Sequence, residues 1–191
     1  ITMSMPLWPF TVESMDSVNF GYSGINPLPH CNTQIYTIEY EHLYTPAIAV
    51  LGRGNVVNYQ FDNGSYQENG KIKGLDVGVR YYPSLSMQGF FTGGSFGYWA
   101  GHWPFIQDAN KPTESQASAK THSLRLNIDI GDRIQIQGTN ISIMPEVNLG
   151  KFFSSNSCEY TAPASKVGTL CDQKSEVDYY LFLGIAVGVA F

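Results

Sequence analysis

The sequence predicts an all-β chain in which eight antiparallel strands close into an up-and-down transmembrane β-barrel. Three observations predict this fold: the composition, an alternation of apolar and polar residues in eight segments, and connections of unequal length. Of the 191 residues, 14% are charged and 14% are aromatic, and 19 are glycine. A typical soluble domain has roughly 25% charged residues. No run of residues approaches the ~18 apolar residues that a membrane helix needs, so a membrane-spanning form of this chain must use strands.

The first four strands are predicted from period-two alternation, which indicates a strand with one apolar face. Val18, Phe20 and Tyr22 alternate with polar or small residues, and segments 36–41 and 74–81 show the same pattern. Segment 47–58, the third strand, is less regular because apolar residues occur on both of its faces.

The last four strands follow the same rule. Segment 89–101 is rich in glycine and aromatic residues, whereas segments 124–131 and 141–150 alternate regularly. The signal is strongest in segment 177–191, where all the odd positions are apolar or aromatic and most even positions are small or polar. A tilted strand of about 9–11 residues crosses a bilayer, and this segment is long enough.

The connections between these segments differ in length at the two ends. Short links are predicted at 44–46, 83–87 and 137–140. Longer polar links are predicted at 25–32, 62–69, 101–120 and 154–176. Short turns at one end and long loops at the other are typical of outer-membrane barrels, which have periplasmic turns and extracellular loops. The three cysteines would then lie in external loops.

The cysteines and the net charge limit the possible cofactors and partners. The formal net charge of −5 argues against a nucleic-acid partner, which normally requires a basic patch. An odd number of cysteines fits neither a zinc finger nor a dense disulfide framework. A disulfide between Cys158 and Cys171 is expected in an oxidising compartment, with Cys31 left over or competing for one of them. A metal site that combines His30 with these cysteines matches no known ligand spacing, so no cofactor is expected.

The chain resembles the small eight-stranded bacterial outer-membrane β-barrels, the broad OmpA/OmpX-like class. The resemblance is carried by the terminal Phe191 with apolar residues at alternate positions before it, and by the segments YEHLYTPAIAVLGR (40–53) and LDVGVRYYPSLSMQGFFTGGSFGYW (75–99). It covers residues 17–191. Residues 1–16 match no strand pattern and are expected to form a periplasmic tail or plug.

This resemblance implies a location in the bacterial outer membrane. It also implies that Phe191 belongs to a C-terminal signal that the barrel-assembly machinery reads during insertion. Outer-membrane lipid and lipopolysaccharide are the further expected partners, together with other envelope proteins.

Charged residues are expected inside the barrel if the apolar faces meet lipid. Alternation then assigns nine of them to the interior: Glu39, Glu41, Arg53, Asp76, Arg80, Arg125, Asp129, Arg133 and Glu146. Eight strands enclose a space only wide enough for side chains, where an uncompensated charge costs several kcal/mol. Because one guanidinium serves two carboxylates at once, we expect a closed, salt-bridged interior and no open pore.

Aromatic residues are expected to form two girdles where the barrel meets lipid headgroups. The outer girdle is predicted to contain Tyr22, Tyr59, Tyr98, Trp99, Trp103, Phe152, Phe153 and Tyr179. The inner girdle is predicted to contain Tyr40, Tyr44, Tyr81, Tyr82, Phe90 and Phe191.

The function favoured by these observations is non-enzymatic: a surface or envelope-structural barrel, or a subunit of an envelope complex. One alternative is a narrow channel for ions or small solutes, lined by Glu39, Glu41 and the arginines. A lipid A-modifying enzyme using His122 and Ser123 is a second, although adjacent strand residues point to opposite faces. A soluble lipocalin-like barrel, with its apolar faces turned inward, is a third.

Overall fold

The computed structural model describes residues 16–24, 31–107, 115–160 and 179–191, and their side chains except at 31, 107, 115 and 154–160. The eight strands are β1 (Asp16–Ser23), β2 (Cys31–Thr45), β3 (Ile48–Asp62), β4 (Tyr66–Tyr81), β5 (Gly89–Gln107), β6 (Ser115–Gln135), β7 (Ile141–Tyr160) and β8 (Tyr179–Ala190). Each strand pairs antiparallel with the next, and β1 pairs with β8. The predicted eight-stranded closed barrel is therefore confirmed. No helix in the described part is long and apolar enough to cross a membrane.

The two ends of the barrel differ. The turn end carries the connections 46–47, 82–88 and 136–140, and there Asp16 and Phe191 exchange two backbone hydrogen bonds at 3.3 and 2.9 Å. The opposite end is called the loop end. Gly138 in the third connection has a φ of +76°, which glycine adopts without the steric penalty of a Cβ.

One predicted loop is wrong. Segment 62–69 was expected to be a long polar link, but β3 and β4 are joined at the loop end by a turn of only three residues, 63–65. The strands pair as far as Asp62 with Gln67. Pairing continues there because backbone hydrogen bonds do not require an apolar face, whereas the alternation that predicts strands fades once the outward residues are no longer apolar. The strands β2, β5, β6 and β7 likewise extend into segments that were predicted to be loops.

The outside of the barrel is apolar and the inside is polar. Leu183, Ile185 and Val187 on β8 are 42%, 52% and 47% exposed, whereas Arg80 and Asp129 are 1% and 0% exposed. The lipocalin-like alternative needs the opposite orientation and is wrong.

Apolar clusters fill the barrel near both ends, above and below the polar interior. The cluster at the turn end contains Leu43, Ala49, Tyr82, Met87 and Phe91. The cluster at the loop end contains Phe105, Ala117 and Ala119, with Tyr66 and Trp103 packed against it.

Several aromatic residues assigned to the girdles belong instead to the interior. Trp99 is 2% exposed and Tyr82 is 0% exposed, and Phe152 packs against Trp99 inside the barrel. These residues lie near the ends of the strands, where the girdles were expected. However, they occupy the inward-facing positions of their strands and therefore point into the barrel. Tyr98 and Tyr81, one residue away from Trp99 and Tyr82, are the ones that face outward.

Glycine provides the space for these interior rings. Gly74 lies directly across from Trp99 and Gly131 across from Phe91, and a Cβ at either glycine would overlap the ring opposite. The ring therefore covers the glycine backbone on the neighbouring strand, an arrangement that supports strand pairing next to glycine.

Candidate functional site: the polar interior

Arg80 on β4 lies at the centre of the interior. Its Nη1 donates to Glu39 at 2.9 Å and to Glu41 at 3.0 Å, and its Nε donates to Asp129 at 3.0 Å. Its Nη2 donates to Glu39 at 3.2 Å and lies 3.7 Å from a carboxylate oxygen of Glu146. One guanidinium thus contacts four carboxylates, which its planar set of five N–H donors allows and a lysine ammonium does not.

Two further arginines complete this cluster. Arg53 donates to Glu39 through Nε and Nη2, at 2.9 and 2.6 Å. Arg133 donates through Nη2 to Glu41, which also accepts a hydrogen bond from the Tyr82 hydroxyl at 2.7 Å. We call this group the Arg80 cluster: Arg53, Arg80, Arg133, Glu39, Glu41, Asp129 and Glu146. Three arginines here face four carboxylates.

A second cluster surrounds Asp76. Its two oxygens accept hydrogen bonds from Arg125 Nη1 at 2.9 Å, Asn55 Nδ2 at 2.7 Å and Trp99 Nε1 at 2.8 Å. The guanidinium carbon of Arg125 lies 4.7 Å from the ring centre of Trp99 and 4.9 Å from that of Tyr180, and its Nε donates to the Tyr180 hydroxyl. The charge of Asp76 is therefore balanced by one arginine whose faces are covered by aromatic rings. These five residues form the Asp76 cluster.

Two asparagines join the clusters into one network. Arg125 Nη2 donates to Asn127 Oδ1 at 3.1 Å, Asn127 Nδ2 donates to Asn148 at 3.1 Å, and Asn148 Nδ2 donates to Glu146 at 3.0 Å. The asparagines supply both a donor and an acceptor at each step, so the chain of hydrogen bonds continues without a further charge.

Small residues on β5 make room for the carboxylates. Gly97 lies across from Asp76 and Gly93 across from Asp129. A Cβ at Gly97 would overlap the Asp76 carboxylate, and one at Gly93 would lie 2.9 Å from Asp129 Oδ2. The glycines 93 and 97 therefore serve the packing of the barrel wall.

One interior carboxylate was missed by the alternation. Glu68 on β4 is 8% exposed and accepts a hydrogen bond from the Tyr66 hydroxyl at 3.4 Å near the loop end. Burial and the neighbouring carboxylate raise the pKa of Tyr66. Segment 62–69 was predicted to be a loop. Glu68 is separated from Gly70 and Asp76 by even numbers of residues, so extension of the strand to residue 68 would have placed Glu68 on the same inward face.

Chains of similar fold were found among solved structures, whereas no protein-family model and no curated protein matches the sequence. A major outer membrane protein of Thermus thermophilus aligns with a TM-score of 0.58 and 13% identity, covering 92% of this chain and 98% of that one. Acinetobacter baumannii CarO aligns with a TM-score of 0.50 and 13% identity, covering 94% and 98%.

The fold is that of the small outer-membrane β-barrels. The resemblance drawn from the sequence is confirmed at this level. At 13% identity the likeness extends to the barrel architecture alone, so the function of this barrel has to be argued from its own residues.

The remaining candidate residues of the barrel lie apart from the interior network. His122 is exposed on the outer face, next to the Tyr98 hydroxyl, whereas Ser123 is buried on the inner face. The two side chains therefore point to opposite sides of the wall, a poor arrangement for a nucleophile and its base. Phe191 is 63% exposed at the turn end.

The predicted disulfide and the alternative metal site lie outside the residues that the structure describes, because Cys171 and His30 are not described and the side chains of Cys31 and Cys158 are not either. Among the described residues, no group of three or more His, Cys, Asp or Glu side chains is arranged to hold a metal ion.

Proposed function

We propose that the chain is a non-enzymatic protein of the bacterial outer membrane, acting as a surface or envelope-structural barrel or as a subunit of an envelope complex. The observation that carries this proposal is the contrast between the two faces of the wall. Ile185 and its outward neighbours are about half exposed, whereas Arg80 is 1% exposed inside a network of ion pairs. An apolar exterior of this kind is compatible with the hydrocarbon core of a membrane. In the interior, ion pairs compensate the charged groups in place of water.

The closed interior is part of the same proposal. The buried arginines are held by carboxylates and rings, and apolar clusters lie on either side of the network. A conducting path requires continuous water beside these groups, which the packing disfavours. The Cys158–Cys171 disulfide, the role of Phe191 in assembly, and contacts with lipopolysaccharide and envelope proteins also belong to this proposal.

We expect the folded protein to produce no stable unitary conductance steps in planar bilayers, because charged and aromatic side chains fill the barrel. The measurement uses protein whose electrophoretic mobility shifts on boiling, which shows that the barrel is folded. A general porin in the same membranes serves as the positive control. Stable unitary steps from the heat-shifted protein would favour the channel alternative.

The Ile185→Arg substitution tests whether the outward face contacts lipid. Ile185 lies midway along β8, so arginine there is expected to destabilise the barrel folded in a bilayer by about 2–4 kcal/mol. The same substitution at Tyr179, at the loop-end edge of β8, is expected to change it by only about 0–1 kcal/mol. Chemical denaturation in lipid vesicles measures both. Equal effects at the two depths contradict a membrane-spanning exterior.

A further inference from the structure

A furrow crosses the outside of the barrel wall at Gly54 on β3, between Phe20 on β1 and Tyr98 on β5. Gly54 is an outward-facing glycine, so no side chain fills the furrow at this position. By register, Ile38 on β2 and Leu75 on β4 flank Gly54 and form the walls; they are 52% and 74% exposed. Because adjacent strands lie about 4.8 Å apart, the backbones of β2 and β4 are roughly 10 Å apart, and the missing side chain at Gly54 leaves a gap between the side chains of Ile38 and Leu75. The groove has a volume of about 640 Å³.

A polar recess lies on the same outer face, on the loop-end side of the furrow. It has a volume of about 630 Å³. Its lining includes five side-chain carboxamides: Asn32, Gln34, Asn58, Gln60 and Asn69. Lys71 and His102 also line it, and the exposed Lys73 lies between the recess and the furrow. The apolar furrow thus continues directly into a polar recess that is lined by basic residues.

The basic residues at this height form a continuous row. Lys71 pairs by register with His102 on β5, and His102 pairs with Lys120 on β6. All four lysines among the described residues lie toward the loop end at outward positions: Lys71, Lys73, Lys120 and Lys151. All four arginines of the chain are buried inside. In a protein with a net charge of −5, this local basic surface is complementary to an anionic group at the edge of the apolar band.

We propose that the furrow and the recess together bind one phosphorylated glycolipid of the outer leaflet, the lipid A portion of lipopolysaccharide. An acyl chain lies over Gly54, phosphate contacts Lys71 and Lys73, and the saccharide lies on the carboxamides. Each carboxamide offers two N–H donors and an acceptor, which matches sugar hydroxyls better than the small headgroup of a diacyl phospholipid. The inference rests on the proposed outer-membrane location, which brings the loop end to the outer leaflet.

Native mass spectrometry of the folded protein in detergent micelles, with diphosphoryl lipid A as the probe, tests the site. We expect one lipid A per barrel and clearly weaker retention of phosphatidylglycerol. The Lys71→Gln/Lys73→Gln variant is expected to bind lipid A about thirtyfold more weakly, since each lysine near an anionic headgroup contributes about fivefold. The Gly54→Leu variant, whose side chain fills the furrow between Ile38 and Leu75, is expected to weaken binding at least tenfold.

Two matched controls share the chemistry of these changes but lie outside the site. Lys151→Gln removes an outward lysine on β7, next to the rings of Phe153 and Tyr179. Gly94→Leu adds the same side chain to an outward glycine on β5, where the nearest contact of a Cβ is the Asn127 carbonyl oxygen at 3.7 Å. Each control is expected to change lipid A affinity less than threefold.

The outcomes separate the site from the proposed function. Every protein is first shown to be folded by its heat-dependent mobility and its insertion into vesicles, so a failure at that step counts against the outer-membrane barrel itself. If folded variants in the furrow and at the lysines bind lipid A like the parent, the site is wrong. Equal loss in the controls, or equal retention of phosphatidylglycerol, also overturns it.

Discussion

Arg80→Met is expected to lower the free energy of unfolding by about 3–5 kcal/mol, the range for a buried ion pair that loses one partner. Methionine fills much of the volume but provides no N–H donor. The Arg80 cluster then has two arginines against four carboxylates. Asp129 is affected most directly, because Arg80 Nε, which donates to its Oδ2 at 3.0 Å, is removed. Its Oδ1 has no hydrogen-bond donor among the described residues, so this carboxylate becomes a buried charge without compensation.

The double variant Arg80→Met/Asp129→Asn separates lost charge pairing from lost packing. In the parent protein, Asp129→Asn removes an ion pair and is expected to destabilise the barrel. With Met at position 80, the same change removes an uncompensated charge and is expected to recover at least about 1 kcal/mol. The sign of the Asp129→Asn effect therefore reverses between the two backgrounds.

Urea unfolding of the barrel folded in micelles, followed by tryptophan fluorescence, measures these energies. Lys73→Met, an exposed cation on the same strand, is the matched control and is expected to change stability by no more than about 0.5 kcal/mol. A loss of less than about 1 kcal/mol for Arg80→Met, or an Asp129→Asn effect of the same sign in both backgrounds, contradicts the role given to the cluster.

The strand pattern predicts which face a residue takes but not which residues it meets. The facing of Arg80 follows from parity along β4, because successive side chains alternate between the two faces. The partners depend on the register between distant strands: Arg133 and Glu41, for example, are 92 residues apart in the chain. No local pattern encodes that register, so the division into an Arg80 cluster and an Asp76 cluster emerges only from the closed barrel.

The errors at the loop end have a related cause. Prediction of strands relied on an apolar outer face, which exists only where the wall meets hydrocarbon. Beyond that height Asn58, Gln60 and Asn69 face outward on strands that remain paired. The polar recess was missed for this reason, although Asn58 and Gln60 alternate along β3 with the aromatic residues Tyr59 and Phe61.

Gly74→Ala is expected to lower the free energy of unfolding by about 3 kcal/mol, at the upper end of the range for overpacking. The added Cβ would overlap the five-membered part of the Trp99 indole. This ring cannot move freely, because its Nε1 donates a hydrogen bond to Asp76 at 2.8 Å and the Arg125 guanidinium covers one of its faces. Phe152 also packs edge-on against it, with the two ring centres 5.5 Å apart. Relief of the overlap must therefore disturb the Asp76 cluster.

Gly52→Ala is the matched control, since it places the same methyl group on an outward glycine with no atom within 4 Å. It is expected to be neutral or to stabilise by about 0.4–1 kcal/mol through the reduced freedom of the unfolded chain. Urea unfolding of both variants gives the comparison. Similar energies for the two would show that glycine is not required at position 74 for packing.

The Trp99→Ala background isolates the cause. With the indole removed, Gly74→Ala meets no ring, and its cost is expected to fall below about 1 kcal/mol, although Trp99→Ala is itself destabilising. Circular dichroism follows the unfolding in this background because an interior tryptophan is lost. If Gly74→Ala costs as much without Trp99 as with it, the penalty comes from the β4 backbone. The interior would then not depend on glycine and aromatic residues facing each other across neighbouring strands.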